Sequence, residues 1–143
     1  MNVRIKKLNS NAIIPKYAKA GDAGLDLVAT SRTWDEQNNN YIYGTSLAIE
    51  IPEGYVGLIF PRSSNRKTCA YMTNHVGVID SGYRGEIMVT YKNRDKNDVV
   101  PPYNVGDRIA QLIIMAYPTI NLIETDTLSE TERGEGGHGS TGK

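Results

Sequence analysis

The sequence predicts an all-β protein, and three observations carry that expectation. Apolar residues come in short runs and not at helical spacing. β-Branched and aromatic residues are prominent in those runs. Breakers recur along the chain at Pro15, Gly21, Gly44, Pro52, Gly54, Pro61, Gly82, Gly85, Pro101, Pro102, Gly106 and Pro118. Many short strands with regular punctuation pack as a sandwich or a barrel. Long amphipathic stretches are missing, so a Rossmann or TIM architecture has no helices to build on.

Taken in order, the first strand is expected at Val3 and Ile5. Arg32, Thr33 and Trp34 face Tyr41, Ile42 and Tyr43 across residues 35–40. That DEQNNN segment reads as a hairpin tip, because Asn and Asp tolerate turn and left-handed geometry. Further strands are expected at Leu47, Ile49 and Ile51, and at residues 55–60, 87–91, 109–115 and 120–123. Residues 62–71 are the one candidate for a short helix. From Arg133 the chain reads RGEGGHGSTGK, with glycine at 134, 136, 137, 139 and 142. Such a tail buries no apolar surface and is expected to be mobile when nothing is bound.

The chain has 143 residues and a mass of 15.8 kDa, the size of one domain with a core of its own. Sixteen basic residues balance sixteen acidic ones. Direct nucleic-acid binding through a basic face is therefore not expected. Cys69 is the single cysteine, which excludes an intrachain disulfide, and with only His75 and His138 beside it the Cys/His zinc patterns fail too. No export signal or membrane-length apolar run is visible, so the expected location is cytoplasmic or another reducing compartment.

Two motifs in the tail mislead. Gly134/Gly136/Gly139 and Gly137/Gly139/Gly142 match G-x-G-x-x-G, but that fingerprint requires a strand before it and a helix after it. The segment 137–143 resembles the front of a P-loop without its Ser/Thr or its helix. What the tail offers instead is unhindered backbone N–H groups, the hydroxyls of Ser140 and Thr141, and the planar fork of Arg133, all suited to a polyphosphate. Arg62, Ser63 and Ser64 follow a strand and carry further donors for an anion. The stretch from Gly77 to Gly85 reads as a tight hairpin that presents Asp80 beside Tyr83.

Together these pieces form an ordered set: AGDAGLDL at 20–27, PRSS at 61–64, GVIDSGYRGEI at 77–87, GDRIAQLII at 106–114 and RGEGGHGSTGK at 133–143. The set resembles the five motifs of the trimeric dUTPase family. The resemblance implies a jelly-roll-like β protomer over 1–132 and a Gly-rich lid over 133–143 that closes a neighbouring subunit's site in a homotrimer. It implies Mg²⁺-assisted hydrolysis of dUTP to dUMP and pyrophosphate, which limits uracil incorporation into DNA and supplies dUMP for dTMP synthesis.

The same resemblance suggests a role for each position. Asp80 is the general base that activates water for attack on the α-phosphorus. Tyr83 packs on the deoxyribose and leaves no room for a 2′-hydroxyl. Asn74, Gly77, Val78 and Ile79 line the uracil pocket. Arg62, Ser63 and Ser64 bind phosphate, and Gln111 lies near the α-phosphate and the metal waters. Asp26 and Arg108 support the site by pairing. Arg133 clamps the γ-phosphate, with His138, Gly139, Ser140 and Thr141 completing the lid. Mg²⁺ is held mainly by phosphates and water, with no protein ligand. His138 stands where the family most often has a Phe stacked over uracil; imidazole is planar too, and it brings a titration near neutral pH. No role is assigned to the hairpin at 32–43.

Two rival readings remain. A dCTP deaminase shares the fold, but the position of its active Glu is Thr90 here, which cannot shuttle that proton. A non-catalytic nucleotide-sensing trimer would have no use for Asp80.

Overall fold

The computed structural model describes residues 1–95 and 97–137. Alternation sets the architecture. In β4 (Asn40–Gly44) Tyr41 and Tyr43 point inward, and in β9 (Met88–Asn93) Val89 and Tyr91 do the same. These strands are the centre of an antiparallel sheet ordered β3-β4-β9-β7, with β3 at Ser31–Asp35 and β7 at Ala70–Met72. Facing it is a second antiparallel sheet, ordered β2-β10-β6-β8. Its strands are β2 (Leu25–Val28), β6 (Tyr55–Pro61), β8 (Gly77–Ile79) and β10 (Arg108–Ala116). A two-stranded ladder of β1 (Arg4–Lys7) and β5 (Leu47–Glu50) completes the all-β, jelly-roll-like fold. No helix of the described residues is long and apolar enough to cross a membrane.

The core lies between the two larger sheets. Leu27, Ile59, Ile109 and Leu112 from one layer meet Tyr43, Met72, Val89 and Tyr91 from the other, joined by Ile51 and Ile87. Tyr43, Tyr91 and Tyr103 pack edge to face, with ring centroids 5.0–6.1 Å apart. Each hydroxyl has a partner: Tyr43 donates to Tyr103 O, Tyr91 to Ile109 O and Tyr103 to Asn65 Oδ1. Burial pushes the Tyr43 hydroxyl up to about 12 and raises Tyr91 and Tyr103 as well. All three therefore keep their protons at neutral pH and remain donors.

The hairpin expected at residues 35–40 is present. Asp35 pairs with Asn40 at its mouth, and Asn39 takes the left-handed φ of 53°. Three expectations change. The helix expected over 62–71 shrinks to a 3₁₀ turn at Ser63–Lys67, and Tyr71 joins β7. The cause lies in Asn65, which donates from Nδ2 to Ala70 O and bends the chain back into a strand. The run at 120–123 is no strand; Ile120, Leu122 and Ile123 are 71%, 87% and 80% exposed. Pro118 ends the ladder after β10, so strand propensity there meets no partner edge. The stretch 77–85 is no hairpin, because β8 pairs with β6 and β9 with β4 and β7. The chain instead passes from one layer to the other through a turn.

Candidate active site

The predicted residues fall into two groups, set at opposite ends of β6. The first group gathers where β2, β10 and the 3₁₀ turn meet. Register places Gln111 opposite both Asp26 on β2 and Phe60 on β6. Asp26 accepts from Arg62 Nε at 2.6 Å and Nη2 at 3.2 Å, and from Arg108 Nη1 at 3.1 Å. Arg62 Nη1 also donates to Ser64 Oγ at 3.1 Å. Two guanidinium groups share one carboxylate, so the cluster keeps a net positive charge. With the neighbouring Ser63 and Ser64 hydroxyls, that arrangement suits phosphate oxygens.

Packing beneath this cluster holds it in place. Asn65, inside the 3₁₀ turn, accepts from both Tyr103 and Thr68, which ties the Ser63–Ser64 segment to the tyrosine core. Gln111 Nε2 donates to Pro61 O at 3.0 Å. Its Oε1 lies over Gly24, where a Cβ would come within 2.4 Å of it. Gly24 is thus a site residue that motif reading missed. The only signal in the sequence was its place inside AGDAGLDL, and the contact with Gln111 depends on the β2–β10 register.

The second group surrounds the turn after β8. Gly77 is buried against Ile59, His75 before it takes a φ of 58°, and Asn74 stands exposed at the entry to the strand. Val78 and Asp80 are two residues apart and share a face. With Tyr55, Val56, Ser81 and Tyr117 they line a cleft of ≈ 270 Å³. Ile79 points the other way, onto the core. Tyr83 N donates to Asp80 O at 3.0 Å, closing a turn that leaves the Asp80 side chain exposed. A larger cleft of ≈ 440 Å³ also borders this turn, lined by Arg4, Glu50, Ser81, Gly82 and Arg84 among others. Neither cleft includes a member of the first group.

Asp80 stands beside Val56, because Ile79 pairs with Gly57. Arg62 follows the other end of β6. Six strand steps put the two about 20 Å apart. Arg133 is separate from both groups: its Nε donates to Gly136 O at 2.9 Å within the tail. His138, Gly139, Ser140 and Thr141 lie outside the described residues.

The chain's similarity to known proteins narrows the chemistry. A family model described as dUTPase matches residues 10–142. The deoxyuridine 5′-triphosphate nucleotidohydrolase of Nocardia farcinica is 39% identical over 98% of this chain and 85% of that protein. The protein of the same name from Clostridioides difficile is 39% identical over 99% of this chain and 98% of its own length. The solved structure of the Staphylococcus bacteriophage 80alpha dUTPase with dUPNHPP superposes with a TM-score of 0.78 at 28% identity, covering 99% of each chain. A mutant dUTPase of phage phi11, solved with a structural Mg(II) ion, gives 0.73 at 26% identity over 89% of this chain and 98% of that one.

Proposed function

The chain belongs to the dUTPase family, and we propose that it hydrolyses dUTP to dUMP and pyrophosphate at sites shared between copies of a homotrimer. The observation that carries the shared site is the separation of Asp80 from Arg62. A general base must reach the proton it removes within about 3 Å, or through one water. Across about 20 Å, one copy cannot apply both residues to the same phosphorus. The anion cluster of one copy therefore meets the Asp80 turn of another. Residues 1–132 form the β domain, and 133–143 form a lid over a neighbour's site.

Each side chain then has a task. The Asp80 carboxylate takes a proton from a water whose oxygen bonds to the α-phosphorus. The bond from that phosphorus to the pyrophosphate oxygen breaks in line. Asn74, Val78 and the backbone groups of Gly77 and Ile79 receive uracil, the Ile79 side chain being turned onto the core, and Tyr83 walls the deoxyribose. Arg62, Ser63, Ser64 and Gln111 hold the phosphates, while Asp26 and Arg108 orient Arg62. Arg133 clamps the terminal phosphate, with His138 over the base and Gly139, Ser140 and Thr141 around the phosphates.

Among the described residues, no group of three His, Cys, Asp or Glu side chains converges to hold a metal ion. The carboxylate nearest the phosphate cluster, Asp26, is engaged by two arginines. That donor set fits an ion carried by substrate phosphates and water. Mg²⁺, when bound, neutralises charge building on those phosphates.

The reading is tested by offering dUTP, UTP, dTTP and dCTP with Mg²⁺ and measuring pyrophosphate and ammonia. Pyrophosphate from dUTP alone is expected. Ammonia from dCTP would reverse the reading in favour of deamination, which Thr90 on β9 disfavours because a hydroxyl is a poor proton shuttle. Removing residues 133–143 is expected to lower kcat/KM for dUTP by at least about 10²-fold, the scale of a lost closing and positioning element. Circular dichroism and sedimentation of the truncated protein should match the full chain. Loss of folding would make the tail a structural strap.

A further inference from the structure

The turn between β8 and β9 holds one close contact that the functional reading leaves unused. A Cβ placed on Gly85 would lie 2.4 Å from the Tyr83 hydroxyl, 2.6 Å from Cζ and 2.9 Å from Cε2. The phenol end of the ring therefore rests directly on the Gly85 backbone. The hydroxyl also donates to Glu86 O at 2.9 Å. Glu86 is itself fixed, since its Oε1 accepts from the backbone N–H of Ser46 at 2.6 Å. Arg84 Nη1 donates to Ser81 O at 2.5 Å and to Tyr83 O at 2.9 Å, bracing the backbone of the turn. The ring is 40% exposed, so its outer side stays open.

We propose that Gly85 is a positioning residue for sugar selectivity: by lacking a side chain, it lets the Tyr83 ring seat against the turn and bond to Glu86 O. The inference rests on the reading that Tyr83 walls the deoxyribose. Excluding a 2′-hydroxyl by shape needs a wall that does not yield. A ring seated on backbone, hydrogen-bonded at its far end and carried by a braced turn is such a wall. Gly85 lies outside the left-handed region, so its own backbone accepts alanine. The three atoms nearest a new Cβ all belong to Tyr83, and the hydroxyl is the nearest. An added methyl therefore acts first on this ring. It displaces the hydroxyl by about 1 Å, enough to break the bond to Glu86 and free the ring to swing.

The test compares kcat/KM for dUTP and for UTP in the wild type and three variants. Gly85→Ala is expected to reduce the dUTP/UTP ratio by about tenfold or more, the scale of discrimination by shape. A change that only weakens the fold lowers both values together and leaves the ratio intact. Gly82→Ala is the control: in the same turn, a Cβ there meets nothing within 4 Å, so the ratio should hold. Tyr83→Phe keeps the ring and removes its bond to Glu86; a few-fold fall in the ratio is expected, and this variant decides the matter if Gly85→Ala does not fold. An unchanged ratio in Gly85→Ala, or an equal fall in Gly82→Ala, overturns the role of Gly85. With Gly85→Ala unfolded, an unchanged ratio in Tyr83→Phe does the same. A wild type that turns over dUTP and UTP alike overturns the reading of Tyr83 itself.

Discussion

Replacing Asp80 with asparagine should lower kcat for dUTP by a factor on the order of 10²–10⁴, with binding of a non-hydrolysable analogue changed only a few-fold. Asparagine keeps the shape of the side chain and removes its capacity to accept the water's proton. The effect should be confined to the chemical step. Asp80 is exposed, and its side chain forms no hydrogen bond or ion pair among the described residues. What closes the turn is its backbone carbonyl, which asparagine retains. Thermal stability should therefore stay within about 0.5 kcal/mol, as for surface changes that touch no special feature. Single-turnover pyrophosphate release and analogue titration separate the two quantities. A variant that turns over at the wild-type rate would remove Asp80 from the mechanism.

Those residues were legible in the sequence where chemistry is packed into short motifs. Asp80 and Tyr83 stand within one run, as do Arg62, Ser63 and Ser64. Strands were legible where a β-prone apolar run is long: β6 and β10 span seven and nine residues. β2 was not, because four residues with Asp26 among them carry too little periodicity; β8, at three residues, carries less. At 120–123 the opposite error arose: propensity marks a segment able to pair, and pairing needs an edge. The Asp26–Arg62 contact joins residues 36 apart in sequence and exists only because β10 lies beside both β2 and β6. The seat of Tyr83 on Gly85 is local in sequence, yet it follows from how the ring packs, which no spacing rule encodes.

The distance between the two groups leads to a stronger experiment than any single substitution. Asp80→Asn and Arg62→Ala chains should each be nearly inactive alone. If Asp80 and Arg62 act on one phosphorus, they belong to different copies, and a mixed assembly must contain one intact site. In a ring of three with one kind of interface, any trimer holding both variants has one junction where an intact Asp80 faces an intact Arg62. Refolding the two together at equal ratio should therefore restore about one quarter of wild-type activity: three quarters of the trimers are mixed, each with one of three sites intact. A site contained within a single chain predicts no more than the average of the two parents. Arg62 is the right partner for the test because Asp26 keeps its second ion pair, to Arg108, when Arg62 is truncated, so the carboxylate is not left unpaired. Activity of the mixture at the parental level, with trimers confirmed by sedimentation, would place both groups at separate tasks and break the link between the anion cluster and the reacting phosphorus.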